Sequence, residues 1–268
     1  MLLSLSKFGT VARLDADAVG YKPRVPEQHT SVARSPGVDP GKPSRPLSMV
    51  WLHHSTGDRL LRGGLLEALR ADGVDFHDIN YEEATSDGDG YVIGDHTDIP
   101  DWPRTFNTPA SFDVVRSWEL AGGRQHDVVM FKSCYPNSRI ASDARLEELK
   151  GHFDALLPTF AAHPDILFIP MSTPPLVKAS TPPDAARRAR TLSRWLTGEY
   201  PRDLKNLKVF DLFDALAITS GEAGGDTLAP QFATGLGDSH PSPEGARAVT
   251  RLFIPWFNRV VREAGLSA

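Results

Sequence analysis

Short runs of apolar residues alternate along the chain with longer stretches in which apolar residues recur every three or four positions. The short runs are typical of buried strands in a parallel sheet, and the longer stretches are typical of amphipathic helices. The pattern predicts strands at 48–53, 74–79, 127–132, 166–171 and 207–212, and helices at 58–70, 142–160, 184–196 and 243–260. This alternation predicts an α/β fold with a mostly parallel sheet of about five strands, covered by helices on both faces.

Individual residues refine three of the predicted helices. Gly63 and Gly64 weaken the first helix locally, because glycine loses more backbone entropy in a helix than other residues. Ser242 followed by Pro243 is a favourable start for the last helix. Pro255 lies inside that helix, where its missing N–H predicts a kink or a split.

Two segments lack this periodicity. Residues 1–47 are dense in Pro, Ser, Gly and basic residues between Tyr21 and Pro46, so we expect an extended or disordered arm before a domain at 48–268. Residues 80–125 are rich in Gly, Asp, Pro and aromatic side chains, and a loop of this length is more often functional than a plain connection. We expect substrate specificity to reside in it.

Composition and charge exclude several classes of protein. The chain has 268 residues, of which 40% are hydrophobic and 24% charged, and its net charge is -5. Without a basic stripe, nucleic acid and anionic membranes are not expected as partners, and no apolar run reaches the ~18 residues of a membrane span. The single cysteine excludes an intrachain disulfide. Residues 1–8 are a poor signal peptide, which favours a cytoplasmic over a secreted protein.

A candidate acid–base pair lies just before the last helix. Asp238 and His240 are two residues apart in a segment rich in Gly, Pro and Ser. A carboxylate held against one imidazole nitrogen fixes the tautomer and leaves the other nitrogen free to accept a proton. The alternative is a capped turn that contains a histidine with ordinary hydrogen bonds.

Such a pair requires a nucleophile, and Ser55 is the best candidate. It follows the first predicted strand in the sequence His53-His54-Ser55-Thr56-Gly57. In an open α/β sheet, sites form at the carboxyl ends of the strands. Ser55 and the segment 133–138 each follow a predicted strand, so both are expected at that edge. For Ser55 alone, a role as helix N-cap is the favoured interpretation. Cys134 is a rival nucleophile, although a small buried residue at a strand end is its more ordinary role.

These blocks together resemble the SGNH (GDSL-type) hydrolase superfamily, in a divergent branch. The Asp238-Ser239-His240-Pro241 block carries the strongest match, and the resemblance covers roughly residues 48–265. The first block departs from the usual Gly-Asp-Ser, and the middle block, which usually reads Gly-x-Asn-Asp, is Ser133-Cys134-Tyr135-Pro136-Asn137. The resemblance implies a flavodoxin-like three-layer α/β/α sandwich and hydrolysis of carboxylic esters.

The resemblance also assigns roles to residues. Ser55 would be the nucleophile, His240 the base and Asp238 its orienting carboxylate. The oxyanion would be bound by the backbone at Thr56 and Gly57 and by the Asn137 side chain; a further glycine of this kind is expected between Asp87 and Gly123. His54, Cys134 and Trp102 are expected to line the substrate site. Neither a metal nor an organic cofactor is implied.

The expected function is that of a serine esterase acting on an acetyl or short acyl group carried by a small molecule or glycan. Two alternatives remain open on the sequence: an acyltransferase, in which an alcohol replaces water as acceptor, and a binding protein whose site has decayed. The altered first block favours the second alternative.

Overall fold

The computed structural model describes residues 41–81, 86–201 and 203–266. Its named strands form one parallel sheet in the order β2-β1-β3-β4. Their bounds are β1 Leu47–Leu52, β2 Val74–Ile79, β3 Val128–Phe131 and β4 Leu167–Pro170. Each lies within one or two residues of a predicted strand, because uninterrupted runs of buried apolar residues suit the interior of a parallel sheet.

Helices connect the strands and cover the sheet. The α-helices are α1 Ser55–Leu60, α2 Leu66–Ala71, α3 Trp102–Asn107, α4 Pro109–Ser117, α5 Asp143–Asp154, α6 Leu157–Ala162, α7 Pro183–Gly198, α8 Leu212–Leu216 and α9 Pro243–Glu263. Short 3₁₀ helices occupy Ile93–Asp95, Ile99–Asp101, Tyr135–Ser138, Lys178–Ser180 and Pro230–Phe232.

The two faces of the sheet bury two separate apolar clusters. On one face, side chains of β1, β3 and β4 pack with α3 to α7, including Leu52, Phe131, Phe168, Phe106, Phe153 and Leu192. On the other face, the alternate residues of the same strands pack with α1, α2, α8 and α9, including Trp51, Met130, Ile169, Leu60, Leu69 and Phe253. Because successive side chains of a strand point to opposite faces, this pairing gives the predicted three layers.

The prediction of a fifth continuous strand is wrong, and the sheet formed by the described residues has four strands. Residues 207–212 lie beside β4 but pair with it only at two isolated bridges, Phe168 with Leu207 and Met171 with Phe210. Amide hydrogen bonds from Lys208 and Phe210 to β4 flank the position where Pro170 should donate. Because proline has no N–H, the ladder is interrupted there.

The first helix begins at Ser55 and is interrupted where the sequence predicts. A π-helical turn, Leu61–Leu65, joins α1 to α2, and Gly64 adopts a positive φ of 108° within it. A Cβ on Gly63 would lie 2.2 Å from the Cβ of Ala246 in α9. Glycine at 63 therefore permits the close packing of this helix against α9.

The remaining differences concern helix boundaries. The region 80–125 is not a plain loop, since α3 and α4 lie within it and bury Trp102, Phe106 and Phe112. The predicted helix 142–160 is divided into α5 and α6, because Pro158 cannot donate an amide hydrogen bond near the start of α6. Conversely, α9 continues through Pro255, and its apolar face, packed on the sheet, holds it together.

The predicted arm falls almost entirely outside the described residues, and only its end can be located. Leu47, the last residue of the predicted arm, is buried and is the first residue of β1. Before it, Arg45 forms an ion pair of 2.7 Å with Asp127 near the start of β3.

Candidate active site

Ser55 lies at the carboxyl end of β1, on the first turn of α1. The N-cap of α1 is His54, whose extended backbone turns the chain from strand into helix, and no side chain caps this helix end. Ser55 is therefore not the N-cap, and its hydroxyl is not used to cap the helix. The half-buried side chain contacts residues from two other loops instead.

The structure brings Ser55, His240 and Asp238 together in one hydrogen-bonded row. Ser55 Oγ lies 2.7 Å from His240 Nε2, and His240 Nδ1 lies 2.6 Å from Asp238 Oδ1. When Nδ1 carries the proton and donates it to the carboxylate, Nε2 is left as an acceptor for the serine hydroxyl. This is the arrangement that activates a serine as a nucleophile.

Hydrogen bonds to Asp238 favour its charged form. The backbone N–H of His240 donates to Asp238 Oδ1 at 2.9 Å, and the imidazole adds a second bond to the same oxygen. These two bonds, the backbone one first, lower the pKa of Asp238 below its ordinary value. A carboxylate that stays ionised can keep the imidazole oriented.

The loop that carries His240 is anchored on both sides. Ala233 and Pro241 form an antiparallel bridge, and the amide and hydroxyl of Thr234 both donate to the carbonyl of His240. Ser239 is buried between the two catalytic candidates, and its Oγ accepts a hydrogen bond from the amide of Val177. The imidazole is therefore positioned by a loop whose backbone is held in place.

The loop after β3 forms another wall of the site. Cys134 Sγ lies 3.7 Å from Ser55 Oγ, so the side chain expected to line the substrate site contacts the candidate nucleophile. Next to it, the ring of Tyr135 meets the imidazole of His240 edge to face, with 4.9 Å between centroids. Tyr135 was not among the predicted site residues, because nothing in a lone Tyr-Pro dipeptide indicates a contact with a residue 105 positions later.

The predicted oxyanion donors, Thr56, Gly57 and Asn137, differ in whether their N–H groups already have an acceptor. Gly57 N–H donates to the carbonyl of His54 at 2.7 Å, and one amide hydrogen of Asn137 is donated to Asp98 Oδ1 at 2.6 Å. Thr56 is buried on the first turn of α1, where a helix leaves its amide groups without intrahelical acceptors. Of the three, the Thr56 amide is the donor with no other assigned bond in the described residues.

His54 connects the nucleophile to the region 80–125. Its Nε2 lies 2.7 Å from the carbonyl of Gly94, so this nitrogen carries a proton and donates it. Burial lowers the pKa of His54, which favours the neutral ring. Gly94 falls in the range where a further glycine of the site is expected, and its backbone lies next to the residue that precedes Ser55.

Trp102 and His53 have structural roles. Trp102, predicted to line the substrate site, is fully buried and packs against Phe106 and Phe131 in the core. A ring in this position has no surface to offer a substrate; the apolar spacing of α3 explains its burial. His53 is also fully buried, and its Nε2 lies 3.3 Å from Asp78 Oδ2.

Lys132 is an unexpected residue beneath the site. It follows β3 directly, is almost fully buried, and its Nζ has no hydrogen-bond partner within the described residues. Burial lowers its pKa to about 8, against the opposing attraction of Cys134, Asp98 and Asp58. The sequence places Lys132 at the end of an apolar run, which by itself suggests a strand end at the surface.

Two kinds of feature are absent from the described ranges 41–81, 86–201 and 203–266. Within them, no group of three or more His, Cys, Asp or Glu side chains is arranged to hold a metal ion. None of the helices in those ranges has the length and apolar character needed to cross a bilayer.

Comparison with known proteins identifies the fold. No protein-family model and no curated protein matches the sequence. The structure is similar to that of a protein from Bacteroides fragilis designated an acylhydrolase, with a TM-score of 0.52, 14% identity, and coverage of 81% of this chain and 91% of that chain. A GDSL-like lipase from Bacteroides thetaiotaomicron gives a TM-score of 0.50 at 14% identity, covering 80% and 88%. The chain therefore has an SGNH/GDSL hydrolase-like fold.

Proposed function

We propose that this chain is a serine hydrolase that cleaves carboxylic esters through a covalent acyl-enzyme. The observation that carries the proposal is the 2.7 Å separation between Ser55 Oγ and His240 Nε2, with Asp238 on the other side of the imidazole. The fold shared with an acylhydrolase and a GDSL-like lipase agrees with it. Acetyl and other short acyl esters are the proposed substrates.

In the first half of the reaction, Ser55 Oγ attacks the acyl carbon while His240 Nε2 takes the hydroxyl proton. Asp238 keeps the imidazole in the required tautomer and stabilises its positive charge. The tetrahedral intermediate then collapses as His240 Nε2 returns the proton to the oxygen of the leaving alcohol. The ester C–O bond breaks, and the acyl group stays on Ser55.

The oxyanion of the intermediate needs donors close to Ser55. The amides of Ser55 and Thr56 lie on the first turn of α1, and amides at a helix start are suited to an anion. Asn137 donates one amide hydrogen to Asp98, and its second amide hydrogen is the one that would bind the oxyanion. A donor of this kind typically contributes about 3 kcal/mol to lowering the barrier.

In the second half, water replaces the alcohol. The water oxygen attacks the acyl carbon of the acyl-enzyme while His240 Nε2 takes a proton from the water. Collapse of the second intermediate returns that proton to Ser55 Oγ and releases the carboxylic acid. Both halves use the side chains of Ser55, His240 and Asp238, and only the second half uses water.

The test compares p-nitrophenyl acetate hydrolysis by the wild type, Ser55→Ala and Cys134→Ala. We expect hydrolysis by the wild type and Cys134→Ala, and its loss in Ser55→Ala. Activity that survives in Ser55→Ala but disappears in Cys134→Ala would transfer the role of nucleophile to the thiol. Labelling by a fluorophosphonate tests the alternative of a binding protein with a decayed site, because only an activated serine reacts with this reagent. A wild type that is not labelled would count against the proposal.

A further inference from the structure

A buried histidine packs against the turn that carries the candidate nucleophile. His53 follows β1 directly, its side chain is fully buried, and its ring lies 4.6 Å from that of Trp51 between centroids. It stands two positions before Ser55, where the usual Gly-Asp-Ser block has its glycine. The ring fits because residue 57 is glycine, since a Cβ there would lie 2.3 Å from Cγ of His53. The large ring at 53 and the glycine at 57 are therefore complementary.

One ring nitrogen of His53 binds the peptide group that precedes Ser55. Nδ1 lies 3.1 Å from the carbonyl oxygen of His54, and since a carbonyl oxygen only accepts, Nδ1 carries a proton and donates it. The same oxygen accepts from the amide of Gly57 at 2.7 Å. The His54 carbonyl and the Ser55 amide belong to one peptide group. Hydrogen bonds to the carbonyl therefore fix this group and make its N–H a stronger donor.

The other ring nitrogen of His53 faces a carboxylate. Nε2 lies 3.3 Å from Oδ2 of Asp78, the oxygen that also accepts from Asn80 Nδ2 at 2.8 Å. An unprotonated Nε2 would direct its lone pair at a negative oxygen, which is repulsive, whereas a protonated Nε2 is attracted to it. The adjacent imidazole lowers the pKa of Asp78 below its ordinary value, against the opposing effect of burial.

A second carboxylate lies near the same ring. Asp58 on α1 has its Oδ1 3.9 Å from Nδ1 of His53. A buried cation is tolerated only where opposite charge is close. Here the helix that carries Ser55 supplies one carboxylate, and the neighbouring strand β2 supplies Asp78.

We propose that His53 is a positioning residue for the nucleophile: as an imidazolium paired with Asp78, it holds and polarises the peptide between His54 and Ser55, whose N–H binds the oxyanion. The inference rests on the proposed esterase function and adds a residue to it. His53 is buried away from the substrate and takes no part in the proton transfers, for which His240 is the base.

The kinetic test measures kcat and KM for p-nitrophenyl acetate in the wild type, His53→Phe, Asp78→Asn and His126→Phe. His126→Phe is the matched control, since its ring is also fully buried and donates to a backbone carbonyl, that of Trp118, at 3.0 Å. We expect His53→Phe to lower kcat about tenfold or more at an unchanged KM, the usual effect of losing a hydrogen bond from a charged group. We expect His126→Phe to leave kcat unchanged.

Asp78→Asn separates the charge from the packing, because it keeps the size of the side chain. We expect it to lower kcat in the wild-type background and to have no further effect in the His53→Phe background, since the carboxylate acts through the ring. A residue that only fills space at 53 would not respond to this change.

A spectroscopic test is independent of activity and of whether His53→Phe folds. Nitrogen-15 NMR of the His53 ring at neutral pH is expected to show protons on both nitrogens in the wild type. In Asp78→Asn the proton on Nε2 should be lost, and that on Nδ1 should stay.

The outcomes distinguish the two proposals. If the wild type cleaves the ester but His53→Phe or Asp78→Asn keeps its kcat, or if Nε2 of the wild type carries no proton, the positioning role is overturned and the esterase function stands. The role is also overturned if His126→Phe reproduces the loss of kcat. If the wild type neither cleaves the ester nor reacts with a fluorophosphonate, both proposals fail.

Discussion

His240 Nε2 lies 2.7 Å from Ser55 Oγ, although 185 positions separate the two residues along the chain. The contact joins the start of α1, which follows the inner strand β1, to the loop that precedes α9. Both helices cover the same face of the sheet, and the close packing at Gly63 and Ala246 fixes their relative position. The contact between the proposed nucleophile and its proposed base therefore depends on how two helices pack on one layer.

Asp238→Asn tests the orienting carboxylate. The amide keeps the size of the side chain but removes its charge and allows the opposite imidazole tautomer, in which Nε2 cannot accept the serine proton. We expect kcat for p-nitrophenyl acetate to fall by roughly 10³- to 10⁴-fold, as such changes do in other triads. Circular dichroism should show an unchanged fold, and a loss below tenfold would argue against a triad.

Gly57→Ala tests the packing that holds Ser55. A Cβ at this position would lie 2.3 Å from the imidazole of His53, so either the ring or the helix start must move. We expect a loss of about 1–3 kcal/mol in the free energy of unfolding, as is usual for overpacking, and reduced esterase activity. Gly151→Ala is the control, since nothing lies within 4 Å of its added Cβ and alanine favours a helix. Equal stability of the two variants would contradict this.

Lys132→Met tests the cost of a buried amine. Burial lowers the pKa of Lys132 from 10.5 to about 8, so the unfolded chain binds this proton more tightly than the folded one. The resulting destabilisation is complete below pH 8 and disappears as the pH rises toward 10.5, and it corresponds to about 3 kcal/mol.

We therefore expect Lys132→Met to be more stable than the wild type at pH 7 in urea unfolding, with a difference that shrinks between pH 8 and 10.5. A stability difference between the two proteins that stays constant from pH 8 to 10.5 would show that packing, and not the charge of Lys132, causes it. Loss of esterase activity in the stabilised variant would indicate that the charge is retained for catalysis at a cost in stability.

Because His126 is buried in its neutral form, we expect the free energy of unfolding to fall in acid. The buried ring accepts a hydrogen bond from Ser48 Oγ at Nδ1 and donates from Nε2 to the carbonyl of Trp118, so it is neutral. Burial lowers its pKa from 6.5 to about 4. Its contribution is complete above pH 6.5 and is lost as the pH falls toward 4, because the unfolded chain takes up the proton first.

Urea unfolding at pH 7, 5.5 and 4 measures this loss. We expect His126→Gln to be less stable than the wild type at pH 7 and to lose less stability between pH 6.5 and 4. A variant with the same pH dependence as the wild type would show that other groups govern the acid transition.

The sequence predicts the α/β class and the four strands of the sheet, and it offers an acid–base pair, because each of these rests on a local signal. Runs such as 128–131 are apolar throughout, and Asp238 and His240 are only two residues apart. The fifth strand fails for a reason outside its own residues, since the missing amide belongs to Pro170 on the neighbouring strand. The helices α3 and α4 were missed because they are short and follow prolines within a polar, glycine-rich region.

What the sequence by itself determined is the list of elements and the chemical types available at the strand ends. The tertiary structure decided which side chains meet: Ser55 with His240, Asn137 with Asp98 rather than free, and Trp102 in the core rather than at the site. It also decided that Lys132 is buried. The physical reason is that periodicity reports which face of an element is apolar, whereas hydrogen bonds and desolvation depend on neighbours that are distant along the chain.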